Sequence, residues 1–272
     1  MRKIHKTHEP TALRDFKAAE KQIGREPNYE NLAGDNAPPE YKPYFWDLRQ
    51  SLLKEQGYLC CYCMRRVDLE TDKVAAMKTE HFLPKSLYNG IQEQVNGAPY
   101  PNLTVDYNNL LAACDDSYLT CDSTKKAKEL QTVPNPASKD FNTFKIRYIS
   151  YITLGKESDR FVEIQACNKT AIAQATAPSE QKRLMDNDPL IGNKEGCLNL
   201  NYQKLKSRRG AIWVSIYKYL AKELGTEKDW HTSKGIRLAH EIIAKQDTKD
   251  ESGRSPEFCQ MVIDLLRKKF KL

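Results

Sequence analysis

No run of apolar residues in this 272-residue chain approaches the ~20 needed to cross a bilayer. The opening residues Met1-Arg2-Lys3-Ile4-His5-Lys6 lack the apolar stretch of a secretory leader. A cytoplasmic protein with no membrane partner is therefore the expectation. There is also no internal repeat and no long low-complexity tract, so solenoid and linker-like architectures are excluded. Nor does one sign of charge dominate: 43 Lys and Arg stand against 36 Asp and Glu, a net charge of +7. Charged residues at 29% and apolar residues at 40% are ordinary for a globular protein with a proper core.

Cysteine, by contrast, is present eight times. A reducing compartment disfavours a disulfide framework, so cysteines grouped at ligand spacing point to metal. Five fall in two short groups, and Cys167, Cys197 and Cys259 are scattered and read as small hydrophobes. The positive charge is uneven as well. Residues 198–272 hold 16 Lys and Arg against nine Asp and Glu, whereas residues 58–130 hold eight against ten. A basic face suits a polyanion through counterion release. Taken alone, a solvated helical surface explains it equally well.

Three regions follow. Residues 1–57 carry a basic strip, a loop at Gly34-Asp35-Asn36-Ala37-Pro38-Pro39, and a helix predicted from about Tyr44 to Gln56 with Gly57 as its stop. Residues 58–130 hold the metal-type motifs. Residues 131–272 begin with a predicted helix through Phe141–Ile152 and a strand at Phe161–Gln165. They end in three apolar stripes at helical spacing, led by Leu205, Ile236 and Phe258.

The chemistry concentrates in the middle region. Cys60 and Cys63 stand in a C-x2-C arrangement, and Cys114 and Cys121 follow about fifty residues later. Two such pairs around one segment suit a closed tetrahedral zinc site. Cys61 is the odd one out, its side chain expected to face away from that metal. Between and after the pairs lie Glu80-His81-Phe82-Leu83-Pro84-Lys85, Asn109-Leu110 and Asp122-Ser123-Thr124-Lys125. Each has a plain reading alone: a surface charge, a satisfied histidine, or an Asn109 that caps a helix starting at Leu110. In this order and between these cysteines, the set resembles an HNH (ββα-metal) endonuclease of the cysteine-bearing kind.

The resemblance implies a role for each residue. His81 would be the general base, Asn109 would orient its ring through the amide, Glu80 and Asp122 would bind a divalent catalytic ion, and Lys125 would meet a phosphate. It also implies a structural Zn2+ on Cys60, Cys63, Cys114 and Cys121. Asp122 departs from the usual His or Asn, and two carboxylates favour Mg2+ or Mn2+ as the catalytic ion. The acidic insert Asp115-Asp116-Ser117 stretches the second cysteine pair. Weaker strings, including the Met1–Ile4 start, Gln56-Gly57-Tyr58-Leu59 and Leu198-Asn199-Leu200-Asn201, are similar to the HNH subunit of Septu-type and retron-associated anti-phage systems. That likeness implies an ATPase partner and, in a retron, a reverse transcriptase with its non-coding RNA.

The expected fold is α+β, mostly α-helical, around a small ββα core with a four-cysteine zinc knuckle. The expected function is hydrolysis of DNA or RNA phosphodiesters as the effector of a defence complex. A zinc-stabilised nucleic-acid-binding module without catalysis is one alternative. A stand-alone restriction or homing enzyme is the other, less favoured because no helix-turn-helix reader is evident.

Overall fold

The computed structural model describes residues 1–69, 75–87, 94–95, 98–99, 102–115, 119–151 and 160–272. The helices are α1 (Thr11–Gln22), α2 (Tyr29–Ala33), α3 (Lys42–Gln56), α4 (Asp122–Lys125), α5 (Lys169–Gln174), α6 (Pro178–Asp186), α7 (Gln203–Leu224), α8 (Ser233–Asp247) and α9 (Cys259–Phe270). The strands are β1 (Val67–Asp68), β2 (Ala75–His81), β3 (Gln94–Val95), β4 (Ala98–Pro99), β5 (Leu110–Asp115), β6 (Tyr148–Ser150) and β7 (Val162–Ile164). The fold is α+β and mainly helical, as expected, with small sheets. Among the described residues no helix is long and apolar enough to cross a membrane.

The sheet that positions the site has the order β1-β2-β5. β1 runs parallel to β2, and β2 pairs antiparallel with β5 in a register that sets Glu80 opposite Leu111 and His81 opposite Leu110. Leu110 to Cys114 are all buried, so β5 reads as an unbroken apolar run without alternation. Its outer edge is closed by α3 and the cysteine turn. The Gln56 amide donates to Ala112 O and accepts from Ala112 N, each at 2.8 Å, and Cys61 N donates to the same carbonyl at 2.9 Å. A buried strand edge is thereby satisfied without another strand.

α3 buries Leu48, Leu52 and Leu53 and ends where predicted. Gly57 has φ +62°, and the amides of Gly57 and Tyr58 return to Lys54 O and Leu53 O. α1 was not anticipated; its signal is Leu13, Phe16 and Glu20 at helical spacing, all fully buried. The Glu20 carboxylate is unmistakably internal, accepting from Tyr41 Oη at 2.8 Å and pairing with Arg25 at 2.8 Å.

The predicted helix through Phe141 is corrected. A 3-10 turn spans Lys139–Asn142, and β6 then pairs with β7, in agreement with the strand expected at Phe161–Gln165; Ile152 lies outside the described residues. The reason is the period. Ile146 and Tyr148 are buried while Lys145 and Arg147 are exposed, a two-residue alternation that β7 completes. The three C-terminal stripes all form helices. The sequence stripe Leu205, Ile212, Ile216, Tyr219 and Leu220 is rotated in α7, with Leu205, Arg209, Trp213, Tyr217 and Leu220 inside and Tyr219 exposed. Of the scattered cysteines, Cys197 and Cys259 are buried as expected, but Cys167 is exposed.

Arg209 is fully buried with its charge distributed over Val162 O at 2.9 Å, Leu200 O at 2.8 Å and Asn201 Oδ1 at 3.1 Å. The next residue, Gly210, lets α7 touch the strand hairpin, for a Cβ there would lie 2.1 Å from Arg160 O. Gly210→Ala should therefore destabilise the protein by about 1–3 kcal/mol through overpacking. Helix propensity alone predicts a gain of about 1 kcal/mol. Denaturant unfolding decides the sign, and a gain would show that α7 does not approach the hairpin this closely.

Candidate metal centre and active site

The cysteine turn is built by local geometry. Cys60 N donates to Arg65 O at 2.9 Å, Met64 N donates to Cys60 O at 3.0 Å, and Met64 takes φ +62°. This turn aims Cys60 and Cys63 at Cys114, near the end of β5, and at Cys121, the residue before α4. All four sulfurs lie within 4.8 Å of one another and are buried. Two of the separations, Cys60–Cys121 and Cys63–Cys114, are 3.8 Å. A tetrahedron with Zn–S bonds of about 2.3 Å has edges of about 3.8 Å. The four cysteines could thus hold a metal such as zinc, in the closed manner of a structural site. Cys61 is buried outside this group. Burial pushes the Cys121 thiol well above its ordinary range, so a cation must displace protons to bind.

The turn reaches into a second site. Tyr62, between Cys61 and Cys63, donates from its hydroxyl to Glu80 Oε1 at 2.7 Å. Lys125 Nζ lies 2.7 Å from that same oxygen and donates to His81 O at 3.0 Å. Lys125 is only 1% exposed. The expectation that it meets a phosphate is corrected: it is an internal counter-ion, held beneath the site by α4. The sequence reading missed Tyr62, although its place inside the cysteine turn is a usable signal.

Glu80, near the end of β2, and Asp122, first residue of α4, meet through a side-chain hydrogen bond. Burial raises the Glu80 carboxyl to about 8, and the bond to Asp122 adds to the rise. Burial also acts upward on Asp122, but the bonds from Glu80 and Lys78 hold it below the usual range. Lys78 Nζ sits 2.8 Å from Asp122 Oδ2. It precedes Glu80 by two residues and so shares its face of the strand. Two carboxyl groups holding one proton form a donor pair that suits a hard divalent cation, which would take that proton's place.

His81 directs Nε2 at Thr104 O, 2.9 Å away. A carbonyl only accepts, so Nε2 carries the proton and Nδ1 keeps its lone pair. Burial lowers the ring to about 4, and the ring is therefore neutral at physiological pH. Tyr29 of α2 packs edge-on against it with centroids 4.6 Å apart. Asn109 acts at one remove from the ring. Its Oδ1 accepts from Leu83 N at 2.8 Å, and Nδ2 donates to Leu83 O and Leu103 O at 2.9 and 2.8 Å. The amide thus fixes the chain two residues beyond His81 and one residue before Thr104. It caps no helix, because Leu110 begins β5.

Glu80, His81 and Asp122 share one open groove of about 840 Å3 with Arg49, Lys78, Lys85 and Lys126. Asp115 lines it too; Asp116 and Ser117 of the acidic insert lie outside the described residues. The architecture is a mainly helical α+β protein in which two antiparallel strands and a short helix are gathered around a cluster of four buried cysteines that could hold a metal. No family model matches the chain. Over 119 residues, 43% of its length, it is 32% identical to the Septu protein PtuB of Bacillus thuringiensis. The match spans 37% of that protein's length. The chain is therefore similar to a Septu protein over less than half of either length.

Purified protein should carry about one zinc per chain, measured by elemental analysis. Cys60→Ser should lose the metal and melt early, because such a site contributes directly to folding. Absence of zinc, or its full retention in Cys60→Ser, would remove the assignment.

Proposed function

We propose that this chain is an HNH-type endonuclease, the effector subunit of a Septu-like anti-phage system. The observation that carries the reading is that His81, its Nε2 bound to Thr104 O and its Nδ1 left as acceptor, lines one cation-rich groove together with the carboxyl groups of Glu80 and Asp122. In this reading Nδ1 of His81 takes a proton from water as its oxygen bonds to phosphorus and the bond to the sugar oxygen breaks. Glu80 and Asp122 would hold Mg2+ or Mn2+, which supplies Lewis-acid stabilisation of the developing charge. Tyr62 and Lys125 fix the Glu80 carboxylate, and Asn109 fixes the backbone on which His81 and Thr104 meet.

The buried Lys125–Glu80 ion pair favours a second reading, a zinc-stabilised nucleic-acid-binding module in which Glu80 is structural. His81→Ala separates the two. It should lower cleavage of plasmid, single-stranded DNA or RNA by about two to four orders of magnitude while zinc content stays intact. Near-normal cutting by the variant would remove His81 from the reaction, and no cutting by the intact protein under any condition would favour the binder.

A free nuclease endangers its host, so the proposal includes an ATPase partner that restrains it, held by elements outside residues 58–130. Co-expression with the neighbouring ATPase gene should give co-elution on size exclusion. A nuclease that elutes alone, fully active and harmless when expressed by itself, would leave the partner without support.

A further inference from the structure

A second groove, of about 700 Å3, opens between the N-terminal arm, α9 and the segment leading into β6. Its walls carry Arg2, Lys3, Lys145, Arg147, Arg267 and Lys268 against a single carboxylate, Asp264. Two of these cations are engaged locally: Arg2 pairs with Asp247, and Lys3 donates to Ser138 O. The other four are exposed and, among the described residues, none of them is ion-paired. Their placement follows from the elements. Lys145 and Arg147 alternate with buried Ile146 and Tyr148, so both face outward. Arg267 and Lys268 stand three and four residues beyond Asp264, on one face of α9.

The groove does not end at that ridge. Phe144, Lys145 and Arg147 also line an adjoining groove of about 480 Å3, which adds Lys169 and contains no carboxylate. The two grooves share the wall made by Phe144, Lys145 and Arg147, and together they make a cationic track along this face. Like charges held in this way repel one another, a cost that a polyanion relieves. The track is concave, it spans two neighbouring grooves, and the half-buried Phe144 ring lines both of them. These are the features by which proteins hold single-stranded nucleic acid.

We propose that this track binds the phosphodiester backbone of single-stranded DNA or RNA, apart from the groove that holds His81. The proposal rests on nucleic acid being the substrate, as argued above, but it concerns binding, so it is tested on full-length His81→Ala protein whatever the outcome for cleavage. Fluorescence anisotropy with labelled oligothymidylate and oligouridylate, over a salt series, gives affinity and salt slope; binding of either supports the track. Adding Lys145→Ala, Arg147→Ala, Arg267→Ala and Lys268→Ala should weaken binding by ~10-fold or more. It should also lower the slope by up to about 0.7 per lost phosphate contact. Each pair of substitutions alone should give roughly half of that loss, and zinc content reports folding.

A control with the same charge change removes the exposed Lys21, Lys42, Lys218 and Lys222, away from the track. Equal weakening in the control would reduce the effect to net charge and overturn the proposal. So would unchanged binding in the track variant. Unchanged oligonucleotide binding with loss of the co-expressed ATPase would reassign the surface to an acidic protein.

Discussion

The closure of four cysteines is the constraint on which the rest of this structure hangs. Cys60 and Cys63 come from a tight turn after α3, Cys114 from β5, and Cys121 from the start of α4. Two of these segments are short: the turn is four residues from Cys60 to Cys63, and α4 is a single helical turn. The closure also sets where Tyr62 and Asp122 stand, each one residue from a cysteine, and both reach Glu80. A metal held by the cysteines would therefore be mechanically linked to the carboxyl pair in the groove. Cys121 is further tied to the C-terminal region, its amide donating to Leu198 O at 2.8 Å.

A second theme is the use of buried cations as backbone clamps. His81 and Leu110 are register partners where β2 and β5 begin to part. The carbonyl of His81 is taken by Lys125 and that of Leu110 by Lys6, at 3.0 and 2.7 Å. Each lysine has a carboxylate within reach, Glu80 at 2.7 Å and Glu55 at 3.3 Å, which offsets the cost of burial. Arg209 does the same for the strand hairpin and α7 with carbonyls and an amide. Charges that resemble surface decoration in the sequence thus lie inside, and they join the N-terminal arm, the cysteine-bearing middle and the helical C-terminal region. One cluster of buried apolar side chains runs through all three, from Phe16 through Tyr62 to Phe270.

The two grooves divide their electrostatics accordingly. Around His81 the groove carries both cations and carboxylates. Along α9 and the approach to β6, cations stand against the single carboxylate of Asp264.

By itself the sequence determined the metal-type cysteines, the helix α3 with its glycine stop and the C-terminal helices, and it singled out Glu80, His81, Asn109 and Asp122 as candidates, because spacing and residue type are local properties. It could not determine direction. Whether Lys125 points into a groove or under Glu80 depends on how α4 is turned by Cys121, and only the packed cysteine cluster sets that angle. Asn109 was legible as a residue but not as a brace, since its partners Leu83 and Leu103 meet it only when the strands close. The segment from Phe141 carries aromatic spacing that suits a helix, and β7 decided otherwise by supplying the hydrogen bonds of a strand. The track along α9 was visible as a surplus of charge and nothing more. Tertiary structure alone brought two cationic edges, over a hundred residues apart in the chain, to the walls of one groove.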